Sequence, residues 1–152
     1  MFFSKKKKEE NLELLYQKNV IVNAKAANKE EAIRMAGKML VDTGYVDPSY
    51  VEGMVEREKT FSTYMGNGLA LPHGVEAAKN AVKSSGIAVI VFPDGIDWGG
   101  DTAQIVVGIA GVGDAHLDIL AQIADIMMDP EKEKELYSND AEKIYKLLTG
   151  KN

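Results

Sequence analysis

The sequence predicts an α/β sandwich, one sheet covered by helices on both faces, and three observations carry that prediction. Residues 87–92 (Ile-Ala-Val-Ile-Val-Phe) and 104–110 (Gln-Ile-Val-Val-Gly-Ile-Ala) are nearly continuous apolar runs, the pattern of strands buried on both sides. Elsewhere apolar residues recur at helical spacing, as in Ala32, Met35, Ala36, Met39 and Leu40. Turn and cap residues punctuate these stretches at short intervals, so strands and helices interleave. The pattern leaves strand order unread and a mixed sheet as open as a parallel one.

Taken in order, residues 19–22 read as a short first strand. Asn28, with Glu31 three residues on, forms a capping box for the first helix, which Gly44 ends. Asp47-Pro48 pairs an N-cap with a first-turn proline. The helix behind it has the stripe Val51, Met54 and Val55, with Arg57 near its C-terminal end. After a loop comes a short strand at residues 69–71. Pro93-Asp94-Gly95 is expected to turn the 87–92 strand, and Gly111 and Gly113 to break the 104–110 run. Asp114 precedes a helix with the stripe Leu117, Leu120, Ile123, Ala124 and Met127. Asp129-Pro130 repeats the cap-plus-proline device, and Asn139 with Glu142 starts a last helix that stops at Gly150. Trp98 is expected to pack under a hairpin loop.

At 152 residues, 45% apolar and 27% charged, the chain reads as one globular domain over residues 11–152 behind a disordered lysine-rich tail over residues 1–10. It contains no apolar run long enough to span a bilayer and no secretory pattern, so a cytoplasmic location without membrane insertion is expected. A net charge of −5 argues against a nucleic-acid partner. The absence of cysteine excludes disulfides, thiolate zinc sites and a cysteine nucleophile. Covalent chemistry is then left to histidine, serine, threonine, lysine or a carboxylate.

There are two histidines. His73 follows the strand at 69–71, pinned by Pro72 and released by Gly74, an arrangement suited to presenting an imidazole that is nucleophilic near neutral pH. His116 lies in the first turn of the helix opened by Asp114, where the helix terminus lowers a histidine pKa and attracts anions. Both positions are strand-to-helix handovers, where α/β sheets gather their ligand sites. Arg57 offers a guanidinium fork for phosphate oxygens. The amides around Gly66, Gly68 and Gly74 offer an anion nest. Nucleophile, donor and cation together suit phosphoryl transfer, whose transition state spreads negative charge over three oxygens. Taken singly, each has an ordinary reading as well: a surface loop histidine, a helix-start residue, a salt-bridged helix end. His116 and Asp118, two residues apart on a helix, do not share a face, and no third ligand has a recognisable spacing, so neither a metal nor a cofactor is expected.

Arg57-Glu58-Lys59, followed by Ser62-Thr63-Tyr64-Met65-Gly66-Asn67-Gly68-Leu69-Ala70-Leu71-Pro72-His73-Gly74, resembles the signature of the mannitol/fructose-type enzyme IIA components of the bacterial phosphoenolpyruvate-dependent sugar phosphotransferase system. The resemblance covers about residues 19–150. The Ser-Thr-Tyr-x-Gly-Asn-Gly run and the Gly44-Tyr45-Val46 turn are most similar to the mannitol branch. The resemblance implies an α/β sandwich with a mixed sheet. It also implies that His73 accepts a phosphoryl group at Nε2 from phosphohistidine HPr and passes it to a cysteine of the cognate enzyme IIB, part of a membrane IIBC permease that phosphorylates mannitol during uptake. His116 would support the phosphoryl group as a hydrogen-bond donor, and Arg57 would neutralise its charge. With no cysteine in this chain, the acceptor is expected on a separate polypeptide. Asn67 departs from members that carry an acidic residue there. An apolar docking collar is expected from Met65, Leu69 and Val75. Alternatives are a fructose-specific IIA, a nitrogen-type regulatory IIA and a two-histidine phosphodiesterase.

Overall fold

Residues 12–74, 80–111 and 115–151 are described by the computed structural model, and the tail expected over residues 1–10 lies outside them. After a 3-10 turn at Gln17–Asn19 come β1 (Val20–Ile21), α1 (Lys29–Thr43), α2 (Ser49–Thr60), β2 (Tyr64–Gly66), β3 (Leu69–Ala70), β4 (Gly86–Asp97) and β5 (Thr102–Ala110). The chain closes with α3 (Ala115–Met127), α4 (Pro130–Leu136) and α5 (Ala141–Thr149). The strands form one sheet in the order β1-β4-β5-β3-β2. β4 with β5 and β2 with β3 pair antiparallel, whereas β1 with β4 and β3 with β5 pair parallel. The sheet is mixed.

Both faces of the two central strands are dry, which is why their sequences read as continuous apolar runs. Ile87, Val89 and Val91 of β4 join Ile105, Val107 and Ile109 of β5 under Ile123, Ile126, Leu136, Ile144 and Leu148 of α3, α4 and α5. The alternate residues Ala88, Ile90, Phe92 and Val106 pack against Ala32, Ile33, Ala36 and Leu40 of α1 and Met54 and Val55 of α2. At Gly108 the helix layer approaches closely: a Cβ there would lie 2.8 Å from the Cβ of Ala36.

The local signals held in part. Asn28 Oδ1 accepts from the Glu31 N–H, and Glu31 Oε2 accepts from the Ala27 N–H, a capping box displaced by one residue. Gly44 ends α1 at φ +96° and Gly150 ends α5 at φ +71°. The buried stripe of α1 includes Ile33 and Gly37, with Met35 and Met39 only at its margin. Asp47 does not cap α2; the cap position is Pro48, already helical, and the Asp47 carboxylate pairs with Lys83 instead. Asp129 caps α4 as expected, but the cap of α5 is Asp140, because Asn139 takes φ +57° and bonds Asn23.

β4 does not turn at Pro93-Asp94-Gly95. It runs on to Asp97 through an irregularity between Val91 and Ile96, where the ladder is interrupted, Pro93 has no bond to donate and Gly95 accepts φ +78°. The reversal comes at the next turn, where the Trp98 N–H donates to Asp101 O at 2.7 Å. Trp98 is buried beneath that hairpin, as expected.

Burial raises the pKa of three of the six tyrosines, Tyr45, Tyr50 and Tyr137, the last to about 12. Above the usual tyrosine range near 10 the unfolded chain loses these protons while the folded chain keeps them, so stability is expected to fall as pH rises from about 10 towards 12. Spectrophotometric titration should show a late-ionising group of tyrosines that coincides with alkaline unfolding. A single normal step for all of them would contradict this.

Candidate active site

The chain beyond β3 stays alongside β5. Ile109 N–H donates to Pro72 O at 3.0 Å, and His73 stands opposite Ile109 in a parallel bridge. Leu69 and Leu71 point into the core beneath α3, and strand alternation puts His73 on that same side. The histidine is half-buried. Its Nδ1 lies 2.9 Å from Leu71 O. A carbonyl only accepts, so Nδ1 carries the proton, and in the neutral ring Nε2 keeps its lone pair.

His73 and Arg57 line one groove of about 560 Å³, with Leu69, Leu71 and Ile109 at its base. Arg57 is half-buried at the end of α2; its Nη1 donates to Phe61 O at 3.0 Å and its guanidinium lies 5.5 Å from the Phe61 ring centroid. The surface ion pair in this stretch joins Lys59 to Glu56 (3.2 Å), and among the described residues Arg57 has no carboxylate partner. His116 lies in the first turn of α3, whose residues Leu120, Ile123, Ala124 and Met127 form a wall of the groove. The side chain of His116, with Gly113 and Asp114, lies outside the described residues.

The apolar stripe of α3 is not the core stripe expected from its spacing. Ile123 and Ile126 are buried, whereas Leu117 is half exposed and Leu120, Ala124 and Met127 face the groove. A helix that bridges core and groove needs two apolar edges, and spacing alone does not tell them apart. The collar is also corrected. Leu69 is only 3% exposed, because both faces of β3 are covered and its own face packs into the core cluster under α3. Met65 is 65% exposed and Met128, also lining the groove, 84%. Val75 lies outside the described residues.

The glycines do not form the expected anion nest. The Gly68 N–H donates to Tyr64 Oη and the Gly74 N–H to Tyr50 Oη, each at 2.9 Å. Gly66 pairs with Leu69 across a two-residue turn, in which Asn67 and Gly68 have φ +50° and +80°. Asn-Gly is the strongest short hairpin signal, and it pairs β2 with β3 where the sequence pattern predicts a loop before residue 69. The Tyr137 hydroxyl donates to Asn67 O and clamps the turn from the end of α4. Gly74 makes room for a neighbour within the fold, since a Cβ there would lie 2.5 Å from the Tyr50 ring.

Sequence reasoning missed Glu58. It is 5% exposed, and its Oε2 accepts from the Thr63 N–H (3.0 Å) and the Trp98 Nε1–H (2.9 Å). Its Oε1 accepts from Thr63 Oγ1 at 2.5 Å, and Lys29 Nζ stands 3.7 Å away. This buried carboxylate pins the segment that carries Ser62, Thr63 and Met65 into the groove. The signal was present: Glu58 continues the stripe Val51, Met54, Val55 at the next helical step, which places a charge on the buried face.

Residues 13–151 match the family model described as "Phosphoenolpyruvate-dependent sugar phosphotransferase system, EIIA 2". The mannitol-specific phosphotransferase enzyme IIA component of Halalkalibacterium halodurans is 50% identical over 125 residues, 82% of this chain and 86% of that protein. Its counterpart in Bacillus subtilis is 46% identical over 132 residues, 86% of this chain and 92% of that protein. Among solved structures, the IIA chain in the Escherichia coli complex of enzyme IIA mannitol with phosphorylated enzyme IIB mannitol matches with a TM-score of 0.81 at 35% identity, covering 90% of this chain and 97% of that one.

Proposed function

Because this chain belongs to the EIIA 2 family of the phosphoenolpyruvate-dependent sugar phosphotransferase system, we propose that His73 is the residue through which it takes a phosphoryl group from HPr. It is an enzyme IIA, a phosphotransferase that relays this group to a mannitol-type enzyme IIB for mannitol uptake. The observation that supports His73 is the contact between Nδ1 and Leu71 O, which leaves Nε2 as the nucleophilic nitrogen of an imidazole that lines the groove.

In the first transfer the Nε2 lone pair attacks phosphorus, the nitrogen–phosphorus bond to the HPr imidazole breaks, and that imidazole takes back its electron pair. The ring of His73 gains positive character as the new bond forms, and the Nδ1–H donation to Leu71 O strengthens with it. Arg57, with no carboxylate partner among the described residues, stands by for the charge spread over the three phosphoryl oxygens. His116 would donate from the start of α3. In the second transfer a thiolate of enzyme IIB attacks the same phosphorus and the His73 nitrogen leaves. Nitrogen-to-nitrogen exchange is near thermoneutral, which keeps the first step reversible.

Among the described residues no helix is long and apolar enough to cross a membrane; the relay reading places the protein in the cytoplasm. Met65 and Met128 form an adaptable apolar rim suited to successive partners. A charge at the rim should weaken docking without touching the chemistry. Met65→Asp is expected to raise the half-saturating HPr concentration about tenfold, with the rate at saturation retained. An unchanged half-saturation value would remove Met65 from the docking surface.

The direct test is incubation with phosphoenolpyruvate, enzyme I and HPr, followed by intact mass and peptide mapping. One added phosphoryl group on His73 is expected. Membranes carrying a mannitol-type IIBC should then discharge it when mannitol is supplied, and those carrying a fructose-type permease should not when fructose is supplied. No mass gain, or a label on another residue, overturns the assignment of His73.

A further inference from the structure

Tyr50 lies in the first turn of α2, is 4% exposed, and reaches the groove beside His73. Its hydroxyl donates to Ile109 O at 2.7 Å and accepts from the Gly74 N–H at 2.9 Å. The sheet register gives these two partners a particular meaning. Where His73 faces Ile109 in parallel pairing, one rung runs from the Ile109 N–H to Pro72 O and the next from the Gly74 N–H to Ile109 O. The first rung is made at 3.0 Å. Both members of the second bond the phenol oxygen, so the Tyr50 hydroxyl stands in the ladder at the step immediately after His73.

We propose that Tyr50 is a positioning residue for phosphoryl transfer: by occupying that rung, its hydroxyl sets the tilt of the 73–74 peptide and with it the direction of His73 Nε2. The proposal rests on the reading of His73 as the phosphoryl acceptor.

Two further observations support it. Gly74 is fitted to the tyrosine ring, with ideal Cβ contacts of 2.5, 2.8 and 3.1 Å to its carbons, so any larger residue displaces ring or peptide. Tyr50 and Arg57 are seven residues apart on α2, two turns and therefore one face, and both line the groove. The helix that carries the guanidinium thus also carries the hydroxyl that registers the imidazole. A shift of α2 moves both together and preserves their relation, the kind of geometry a transfer step depends on.

Tyr50→Phe removes the oxygen and keeps the ring. The rate constant for phosphorylation by phospho-HPr at saturation is expected to fall about 10- to 100-fold, the cost of a misdirected nucleophile, with the half-saturating HPr concentration unchanged. Nitrogen-15 spectra of the His73 ring should show the Nδ1–H tautomer losing its dominance. If Tyr50→Phe does not fold, Gly74→Ala, which presses on the same contact from the other side, should show the same loss at saturation. A folded Tyr50→Phe protein with wild-type rate and tautomer overturns the proposal. So does a loss confined to half-saturation, which would make Tyr50 part of the docking surface. Should wild type take no phosphoryl group on His73, the relay assignment fails by itself. The tautomer measurement needs no phosphoryl donor and still reports whether Tyr50 orients the ring.

Discussion

His73→Ala protein, incubated with phosphoenolpyruvate, enzyme I and HPr, is expected to gain no phosphoryl mass and to support no mannitol phosphorylation when added to membranes carrying the cognate permease. A complete loss is expected because the proposed relay has one nucleophile. Among the described residues His73 is the groove's one imidazole, its Nε2 keeps a lone pair when Nδ1 donates to Leu71 O, and the chain has no cysteine to substitute for it. The variant should nevertheless fold. His73 is half-buried and among the described residues contributes one side-chain hydrogen bond, to Leu71 O, a net loss of about 1 kcal/mol. A normal melting transition together with absent labelling separates lost chemistry from lost structure. Labelling that persists in His73→Ala moves the acceptor to another residue and ends the account given above.

Glu58→Ala is expected to lower the unfolding free energy by about 2–6 kcal/mol, at about 1–3 for each of two stranded donors, a large share of what a domain of this size possesses. Truncation strips the buried Thr63 N–H and Trp98 Nε1–H of their acceptor and leaves a void between α2, the hairpin after β4 and the start of α1. Glu58→Gln tests the cause. Its amide oxygen can still accept from both N–H donors, and its NH₂ can donate to Thr63 Oγ1, so only the charge facing Lys29 is lost. The expected penalty is about 1 kcal/mol. Denaturant midpoints of the two variants should therefore differ widely. Equal destabilisation by alanine and glutamine would show that the network does not hold this corner, and that the approach to Thr63 is set by something else.

The legible part of the molecule is the part governed by local rules. Two dry strands announced themselves because both of their faces are buried, which strips polar residues from residues 87–92 and from most of 104–110. Asn28, Gly44, Asp129 and Gly150 marked helix ends because capping is settled within one turn of chain. His73 and Arg57 were legible as chemistry by residue type and motif, and the fold brings both to one groove. Asn67-Gly68 and Glu58 were legible in principle, the first as a hairpin dipeptide and the second as a charge on an apolar stripe.

Other features depend on contacts between residues far apart in the chain. That the sheet is mixed follows from which strands pair, and β3 lies beside β5 across more than thirty residues. The proton on Nδ1 of His73 follows from where Leu71 O points once β3 is in place. The need for glycine at position 74 follows from the ring of Tyr50, 24 residues away. Periodicity and capping report how a segment treats its own backbone and its nearest turn, so they predict elements well. An imidazole fixed by a carbonyl at the side of a groove, a carboxylate shared with Trp98 and Lys29 and a hydroxyl set into a strand ladder exist only after their segments pack, because each depends on distances of about 3 Å that no local preference specifies.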